Sequence, residues 1–179
     1  IYTVGHSTHA VGTFISLLQK HGITTVCDVR STPRSQYNPQ FNRKELQASL
    51  RQHGIAYLFL GAELGARSED RSCYLHGIVQ YERVAQTELF QSGIRRLRNG
   101  AEEHRIVLMC AEKEPLECHR TILVARHLVS RGSEVQHIHA DGHLESHPDA
   151  LIRLANMFNL LRPNDLIWAN VGNNYLLGE

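Results

Sequence analysis

The stretch that decides the fold lies in the second half of the chain and reads Arg105-Ile106-Val107-Leu108-Met109-Cys110-Ala111-Glu112. Its apolar run is too short for a membrane span and has the length of a buried strand. Similar short runs, several of them β-branched, occur on both sides of it. The sequence therefore predicts five strands, at residues 1–5, 24–29, 55–60, 105–110 and 134–139.

Segments with helical spacing of apolar residues separate these strands. The predicted helices cover residues 11–22, 42–54, 76–98 (one or two helices), 116–131 and 148–161. Alternation of strands and helices is typical of an α/β fold. We therefore expect three layers, with a mostly parallel sheet of about five strands and helices on both faces, a Rossmann-like arrangement. In the tail, residues 166–168 are the candidate for a short strand.

Length and composition narrow the class of protein. A chain of 179 residues predicts one α/β domain over residues 1–179, with residues 145–179 as a C-terminal extension. The chain has 42% hydrophobic and 21% charged residues, a composition that excludes disorder over its whole length. The formal net charge of +1 offers no bulk attraction for nucleic acid. Because no apolar run is long enough for a membrane span and no secretory signal is visible, we expect a cytoplasmic protein whose four cysteines are reduced.

Polar side chains follow the predicted strands. In an open parallel sheet, ligands bind beyond the carboxyl ends of the strands. The sequence therefore predicts one shared polar site at this edge, the alternative being a coincidence of polar loops. The residues concerned are His6 and Ser7 after the first strand, Asp28, Arg30, Arg34 and Ser35 after the second, and Cys110 and Glu112 after the fourth.

The most specific local pattern is Cys110-Ala111-Glu112 followed by Cys118-His119-Arg120. We expect Cys118 in the first turn of the next helix, where free backbone N–H groups stabilise a thiolate. One interpretation is a nucleophilic or redox cysteine. A second is a metal held by both cysteines and His119, with His6 or Glu112 as a further ligand. A third is a pair of buried cysteines beside an anion site.

The spacing of the cysteines argues against a structural zinc site. Seven residues separate Cys110 from Cys118, whereas two is the usual gap. On sequence alone we therefore assign no metal ligand and no cofactor.

A second pattern is Asp28-Val29-Arg30, with Arg34 nearby. The two arginines suit an anionic substrate, and Asp28 suits a group that orients a base. The alternative is an internal ion pair of Asp28 with Arg30 or Arg120 that only fixes loops. His6 is a candidate acid or base near neutral pH.

Together these motifs resemble a known family over roughly residues 3–140, the family catalogued as domain of unknown function number 488. The resemblance implies a compact α/β fold and a shared polar site, but no established reaction. The chain departs from the family's usual pattern at Ala66, where a second glycine is common. The matching residues are Val4-Gly5-His6-Ser7, Asp28-Val29-Arg30 with Pro33 and Ser35, Phe41-Asn42, Leu64-Gly65, and Cys110-Ala111-Glu112 with Cys118-His119-Arg120.

The leading hypothesis is an enzyme acting on a phosphate-bearing substrate, a nucleotide or a nucleic-acid component. It assigns the anion to Arg30, Arg34 and Arg120, with Ser7 and Ser35 as further substrate contacts. It assigns catalysis to Cys118 or Cys110 as the thiol, His6 or His119 as the acid–base partner, and Glu112 or Asp28 as the orienting carboxylate. The alternatives are a metal-dependent hydrolase or oxidoreductase and a non-catalytic nucleic-acid or ligand-binding module. The sequence does not predict the oligomeric state.

Overall fold

The computed structural model describes residues 1–160. Its main sheet has six strands in the order β3-β2-β6-β1-β7-β8; the first five are parallel, and β8 is antiparallel to β7. This arrangement confirms the predicted α/β fold with a mostly parallel sheet. The strands of the main sheet are β1 (Tyr2–Gly5), β2 (Thr25–Asp28), β3 (Ala56–Phe59), β6 (Ile106–Cys110), β7 (Gln136–Ile138) and β8 (Leu144–Ser146), and β4 (Tyr74–Leu75) and β5 (Ile78–Val79) form a separate hairpin.

Seven α-helices connect or follow these strands within the described residues. They are α1 (Val11–Lys20), α2 (Arg43–Gln52), α3 (Gly61–Leu64), α4 (Tyr81–Gln86), α5 (Glu88–Glu103), α6 (Arg126–Val129) and α7 (His147–Met157). A π-helical segment, Arg120–Ala125, runs directly into α6, and three 3-10 turns occupy Pro39–Phe41, Arg71–Cys73 and Pro115–Glu117. None of the helices in residues 1–160 has the length and apolar character needed to cross a membrane.

The chain divides into two compact units, Ile1–His147 and Pro148–Glu179. The strands that the structure describes all belong to the first unit, and the described part of the second consists of most of α7 and the residues up to 160. The single domain with an extension from residue 145 stays a prediction. The strand proposed for residues 166–168 lies outside the described residues.

Apolar side chains pack on both faces of the sheet because consecutive strand residues point in opposite directions. In β6, Val107 and Met109 pack on the side of α1 and α2, whereas Leu108 and Cys110 pack on the side of α5 and α6. This alternation places the Cys110 thiol beneath the segment that carries Cys118.

The structure corrects three local predictions. Residues 76–98 are not purely helical: a hairpin precedes α4, because His76 and Gly77 turn the chain with positive φ angles of 51° and 79°. Cys118 lies before the helix rather than in its first turn, with an extended backbone between a 3-10 turn and the π-helical segment. At the start of α2, where Asn42 with Glu45 predicts a capped helix, Asn42 does not cap it, because its side chain instead accepts a hydrogen bond from the Ser35 N–H at 2.7 Å.

Gly5, at the end of β1, lies so close to another part of the backbone that only glycine fits there. A Cβ atom there would lie 1.8 Å from the Glu112 carbonyl oxygen. No side chain fits into this space, so β1 and the segment after β6 can run side by side only with glycine at this position. The sequence treats Gly5 as a turn residue, but the structure assigns it to this contact.

Candidate functional site

The segments that follow β1, β2 and β6 meet at the carboxyl edge of the sheet. The His6 N–H donates to the Cys110 carbonyl at 2.9 Å, and the Ser7 N–H donates to the Ala111 carbonyl at 3.0 Å. Strands β1 and β6 are neighbours, and the helices that follow them pack on opposite faces. In sheets of this type, such a point is where ligands bind. The structure therefore brings the residues that the sequence singled out after these three strands together at one edge.

Asp28 and Arg30 form a buried ion pair. Arg30 Nε donates to Asp28 Oδ1 at 2.9 Å, and Nη2 donates to Oδ2 at 2.6 Å. Nη2 also donates to the Phe41 carbonyl at 2.8 Å, and the Tyr57 hydroxyl donates to Asp28 Oδ2 at 2.7 Å. Burial and the Asp28 carboxylate raise the pKa of Tyr57, so its hydroxyl stays protonated and remains a donor. Both carboxylate oxygens of Asp28 therefore already accept hydrogen bonds, and the ion pair fixes the orientation of Arg30.

His6 lies against this ion pair and stacks on Phe41, with the two ring centres 4.2 Å apart. Its Nε2 lies 3.1 Å from Arg30 Nη1, which can only donate, so Nε2 accepts and Nδ1 donates to the Ser7 carbonyl at 2.8 Å. Burial lowers the pKa of His6 to about 4, and the imidazole is therefore neutral at pH 7. Both ring nitrogens already have protein partners.

A second cluster lies on the other face of the sheet edge. His119 Nδ1 lies 3.7 Å from Cys110 Sγ and 3.8 Å from Cys118 Sγ, and all three residues are buried. His119 Nε2 lies 3.0 Å from the Val29 carbonyl, an acceptor only, so Nε2 carries the proton and the lone pair of Nδ1 faces the sulfur atoms. Within the described residues, this is the group of His, Cys, Asp and Glu side chains whose ligand atoms converge, all within 4.8 Å of one another. We call these three residues the thiol–imidazole cluster.

Glu112 joins the thiol–imidazole cluster from the solvent side. Its Oε2 lies 2.9 Å from Cys118 Sγ. Partial burial of the carboxylate raises the pKa of Glu112, but hydrogen bonds from the Cys110 and Cys118 thiols outweigh that effect and lower it to about 2. A hydrogen bond from Cys110 also lowers the pKa of Cys118. Burial raises that pKa, but His119 and Arg120 lower it further, and the resulting pKa is about 6. The hydrogen bond between the two thiols raises the pKa of Cys110, and burial raises it as well.

Arg120 is fully buried behind the cluster. Its Nη1 donates to the Glu112 carbonyl at 2.7 Å and Nη2 to the Lys113 carbonyl at 3.3 Å, while Nε has no partner in the described part of the chain. Within residues 1–160, no carboxylate forms an ion pair with it. A buried guanidinium without a carboxylate favours negative charge nearby, and the thiolates of the cluster can provide it.

A cleft of about 360 Å³ opens between the loops that follow β1 and β2. We call it the strand-end cleft. Arg34 is exposed and its side chain makes no hydrogen bond or ion pair with the described residues, whereas Ser35 Oγ accepts from the Asn38 N–H at 3.1 Å. The residues that line it include His6, Ser7, Arg30, Arg34, Ser35 and Ala111.

Sequence reasoning missed two parts of the site. Tyr57, the partner of Asp28, lies on the edge strand β3 and shows no signal in the sequence apart from its polar hydroxyl group. Phe41 supports His6 with its ring and Arg30 with its carbonyl, and only its place in the family motif singled it out. Two histidines beside the Asp141-Gly142 turn, which the sequence predicts as loop or capping residues, pair locally: His139 contacts Glu145 at 2.9 Å, and His143 contacts Asp141 at 2.7 Å.

A buried pair of histidines, His137 and His147, lies outside both clusters. Their facing nitrogens are 3.2 Å apart, and His137 Nδ1 lies 2.8 Å from Thr3 Oγ1. Burial lowers the pKa of His137 to about 3 and that of His147 to about 4. The charged groups that act on His137 are Arg120, Glu145 and His139.

We predict that this pair makes the chain less stable in mild acid. Both imidazoles stay neutral in the folded chain but titrate near pH 6.5 when it unfolds, so the unfolded chain binds more protons below that pH. The free energy of unfolding should therefore fall as the pH drops from 6.5 to 4, by roughly 3 kcal/mol for each histidine. Urea unfolding at pH 7.0, 5.5 and 4.5 measures the slope. His147→Gln should reduce the slope and the exposed His104→Gln should not; equal slopes in the two variants would contradict the assignment.

The family model described as "Domain of unknown function DUF488" matches residues 10–127, about two thirds of the 179 residues. A poly(3-hydroxyalkanoate) polymerase from Methylorubrum extorquens is 67% identical over 27 residues, which are 15% of this chain and 4% of that polymerase. The chain thus spans only a small fraction of that protein. No solved structure matches.

Proposed function

The chain belongs to the DUF488 family, and we propose that it is a metal-dependent hydrolase with its metal in the thiol–imidazole cluster. In this proposal Cys110, Cys118 and His119 are the metal ligands and Glu112 is the acid–base group. The proposal rests mainly on one observation, the spacing of the three ligand atoms.

The two sulfur-to-nitrogen distances fit a tetrahedral zinc ion. With Zn–S bonds of about 2.3 Å and Zn–N bonds of about 2.0–2.1 Å, a tetrahedral angle separates sulfur from nitrogen by roughly 3.6 Å. His119 Nδ1 lies 3.7 Å and 3.8 Å from the two sulfur atoms. Three protein ligands leave a fourth position open, as in catalytic rather than structural zinc sites.

The tautomer of His119 also supports a metal. A metal-ligating histidine usually donates its other ring N–H to a carbonyl or carboxylate. The bond from His119 Nε2 to the Val29 carbonyl meets this requirement and leaves Nδ1 free to ligate.

The charges of the cluster point in the same direction. The surroundings lower the pKa of both Cys118 and Glu112 and so favour their charged forms, although their atoms are 2.9 Å apart and Glu112 accepts a hydrogen bond from the Cys118 thiol only while that thiol keeps its proton. Two anions this close repel each other unless a proton or a metal cation compensates. A divalent cation bound by both thiolates removes this repulsion.

Glu112 is suited to move the proton in a hydrolysis. A bound zinc ion supplies a coordinated water with a pKa near 7. Glu112 accepts a proton from the attacking water, whose oxygen forms a bond to the electrophilic atom of the substrate. The bond to the leaving group then breaks, and Glu112 returns the proton to that group. Once the thiols are ionised, the hydrogen bonds that hold the pKa of Glu112 low are gone, so it becomes a stronger base.

The same donor set occurs in a known class of hydrolytic site. Zinc-dependent nucleobase deaminases combine one histidine and two cysteines with a glutamate that is not a ligand. In their signature one residue separates the first ligand from the glutamate, as Ala111 separates Cys110 from Glu112 here. The likeness concerns the chemistry of the site and carries no statement about the fold.

A second candidate is a thiol enzyme acting on a phosphate-bearing substrate, in which Cys118 is the nucleophile. The lowered pKa of Cys118 and the adjacent Glu112 favour it. Only 1% of Cys118 is exposed, however, and a nucleophile has to reach its substrate. Burial of all three cluster residues favours the metal site instead.

Metal analysis of the purified chain tests the proposal. Prepared with reductant and without chelator, it should contain about one equivalent of zinc or a related ion. Replacement by Co²⁺ should produce thiolate-to-metal absorption, and iodoacetamide should alkylate Cys118 quickly only after treatment with EDTA. A chain that holds no metal under these conditions and whose Cys118 reacts quickly without EDTA would refute the metal enzyme and leave the thiol enzyme.

A further inference from the structure

The strand-end cleft has a lining that suits an anion. Hydroxyl groups of Ser7, Thr8 and Thr32 line it, together with two arginines, and Ala111 is its apolar contact. No aspartate or glutamate is among the lining residues. The nearest buried carboxylate, Asp28, already accepts hydrogen bonds from Arg30 and Tyr57. An anion entering the cleft therefore meets donors and positive charge.

Arg30 provides a fixed donor at the inner end of the cleft. A guanidinium has five N–H groups. Four of those in Arg30 are used by the two Asp28 oxygens, the Phe41 carbonyl and His6 Nε2, which leaves one on Nη1. Because Arg30 is 6% exposed and held on several sides, this N–H is already oriented before a ligand arrives.

Arg34 carries a charge with which no carboxylate in residues 1–160 forms an ion pair. Its side chain is exposed at the mouth of the cleft, whereas Arg30 is neutralised by Asp28. A guanidinium binds two oxygens of a phosphate in a bidentate manner and stays charged at every relevant pH. The pair thus combines a fixed donor with a free cation.

The cleft adjoins the thiol–imidazole cluster through strand β6. Ala111 lines the cleft, and its neighbours in sequence, Cys110 and Glu112, belong to the proposed reaction centre. Ala111 therefore links the cleft to the proposed reaction centre along the chain.

We infer that the strand-end cleft binds the phosphate group of a small phosphate monoester of nucleotide size, with Arg34 as the specificity-determining residue. This inference rests on the proposed function, because it names the substrate class of the same site. A volume of about 360 Å³ is enough for a nucleoside monophosphate. The near-neutral net charge of +1 is consistent with a small ligand.

Calorimetric titration of the metal-loaded chain with AMP and adenosine tests the inference. AMP should bind, inorganic phosphate should compete with it, and adenosine should bind at least about tenfold more weakly, since it lacks the charge-assisted hydrogen bonds. Arg34→Ala should weaken AMP binding by about tenfold or more. Arg51→Ala, an exposed arginine at the far end of α2, is the matched control and should leave it unchanged.

Metal content measured on the same samples separates the two proposals. Equal binding of AMP and adenosine, or an Arg34→Ala variant that binds like wild type, overturns the phosphate inference even when the metal is present. A metal-free chain that still binds AMP through Arg34 supports the phosphate site and refutes the metal enzyme. A single-stranded oligonucleotide that displaces AMP and binds more tightly would overturn the small-molecule assignment in favour of nucleic acid.

Discussion

Cys118→Ser should purify with less than about a tenth of an equivalent of metal, because a neutral hydroxyl replaces one of two thiolate ligands. Of the two sulfur ligands, Cys118 is the one with the lowered pKa and therefore ionises first, at a pKa of about 6. Removing it leaves Cys110, whose pKa is raised, and a single imidazole. This pair cannot hold a zinc ion against competing chelators. Mass spectrometry of the metal, normalised to protein, measures the loss.

Cys73→Ser is the matched control for this prediction. Cys73 is also buried and free, but it lies among apolar side chains outside the thiol–imidazole cluster. It should retain the metal of the wild type. If Cys118→Ser kept its metal while remaining folded by circular dichroism, the ligand assignment would be wrong. Loss of metal in both variants would point to a general effect on folding rather than to ligation.

Glu112→Gln should keep the metal and lose hydrolysis by a factor of about 10² to 10⁴, the usual contribution of a general acid–base group. The substitution preserves the shape of the side chain and removes its ability to carry a proton from water to the leaving group. Because Glu112 is exposed, the change should not unfold the chain. Release of nitrophenol from p-nitrophenyl phosphate and of ammonia from CMP measures hydrolysis at phosphorus and at carbon.

Glu117→Gln is the control, since Glu117 is exposed in the same loop and contacts no cluster residue. It should retain activity. Equal rates in the two variants would remove Glu112 from the mechanism. A Glu112→Gln variant without metal would make Glu112 a ligand rather than the acid–base group. A metal-loaded wild-type chain that hydrolyses neither probe would count against the hydrolase.

Much of the fold could be predicted from local patterns. The run Ile106–Cys110 forms a buried strand because every residue in it prefers a position away from water. Strand β8 was not predicted because Leu144–Ser146 is short and only partly buried, so the sequence shows no hydrophobic pattern there. The strand is defined by its pairing with β7. The helical prediction at residues 116–131 failed near Cys118, where the chain is extended, because local spacing does not show how a tertiary contact interrupts a helix.

The location of the candidate site could be predicted from the sequence, but the contacts between its side chains could not. A parallel sheet brings the ends of its strands to one edge, so His6, Asp28 and Cys110 were expected to be near one another. The sequence could not reveal that Asp28, Phe41 and His6 leave Arg30 a single free N–H, which changes it from a free anion binder into a fixed donor.

By itself, the sequence determined the alternation of five strands with helices and the edge to which the polar residues are delivered, because hydrophobic periodicity is read over a few neighbouring residues. Only the tertiary structure decided that the sulfur atoms of Cys110 and Cys118, which have seven residues between them, lie close to His119 Nδ1. It also decided that His137 contacts His147. Such distances depend on how separate loops pack on the sheet. They are set by contacts between residues far apart in the chain, for which a local pattern contains no information.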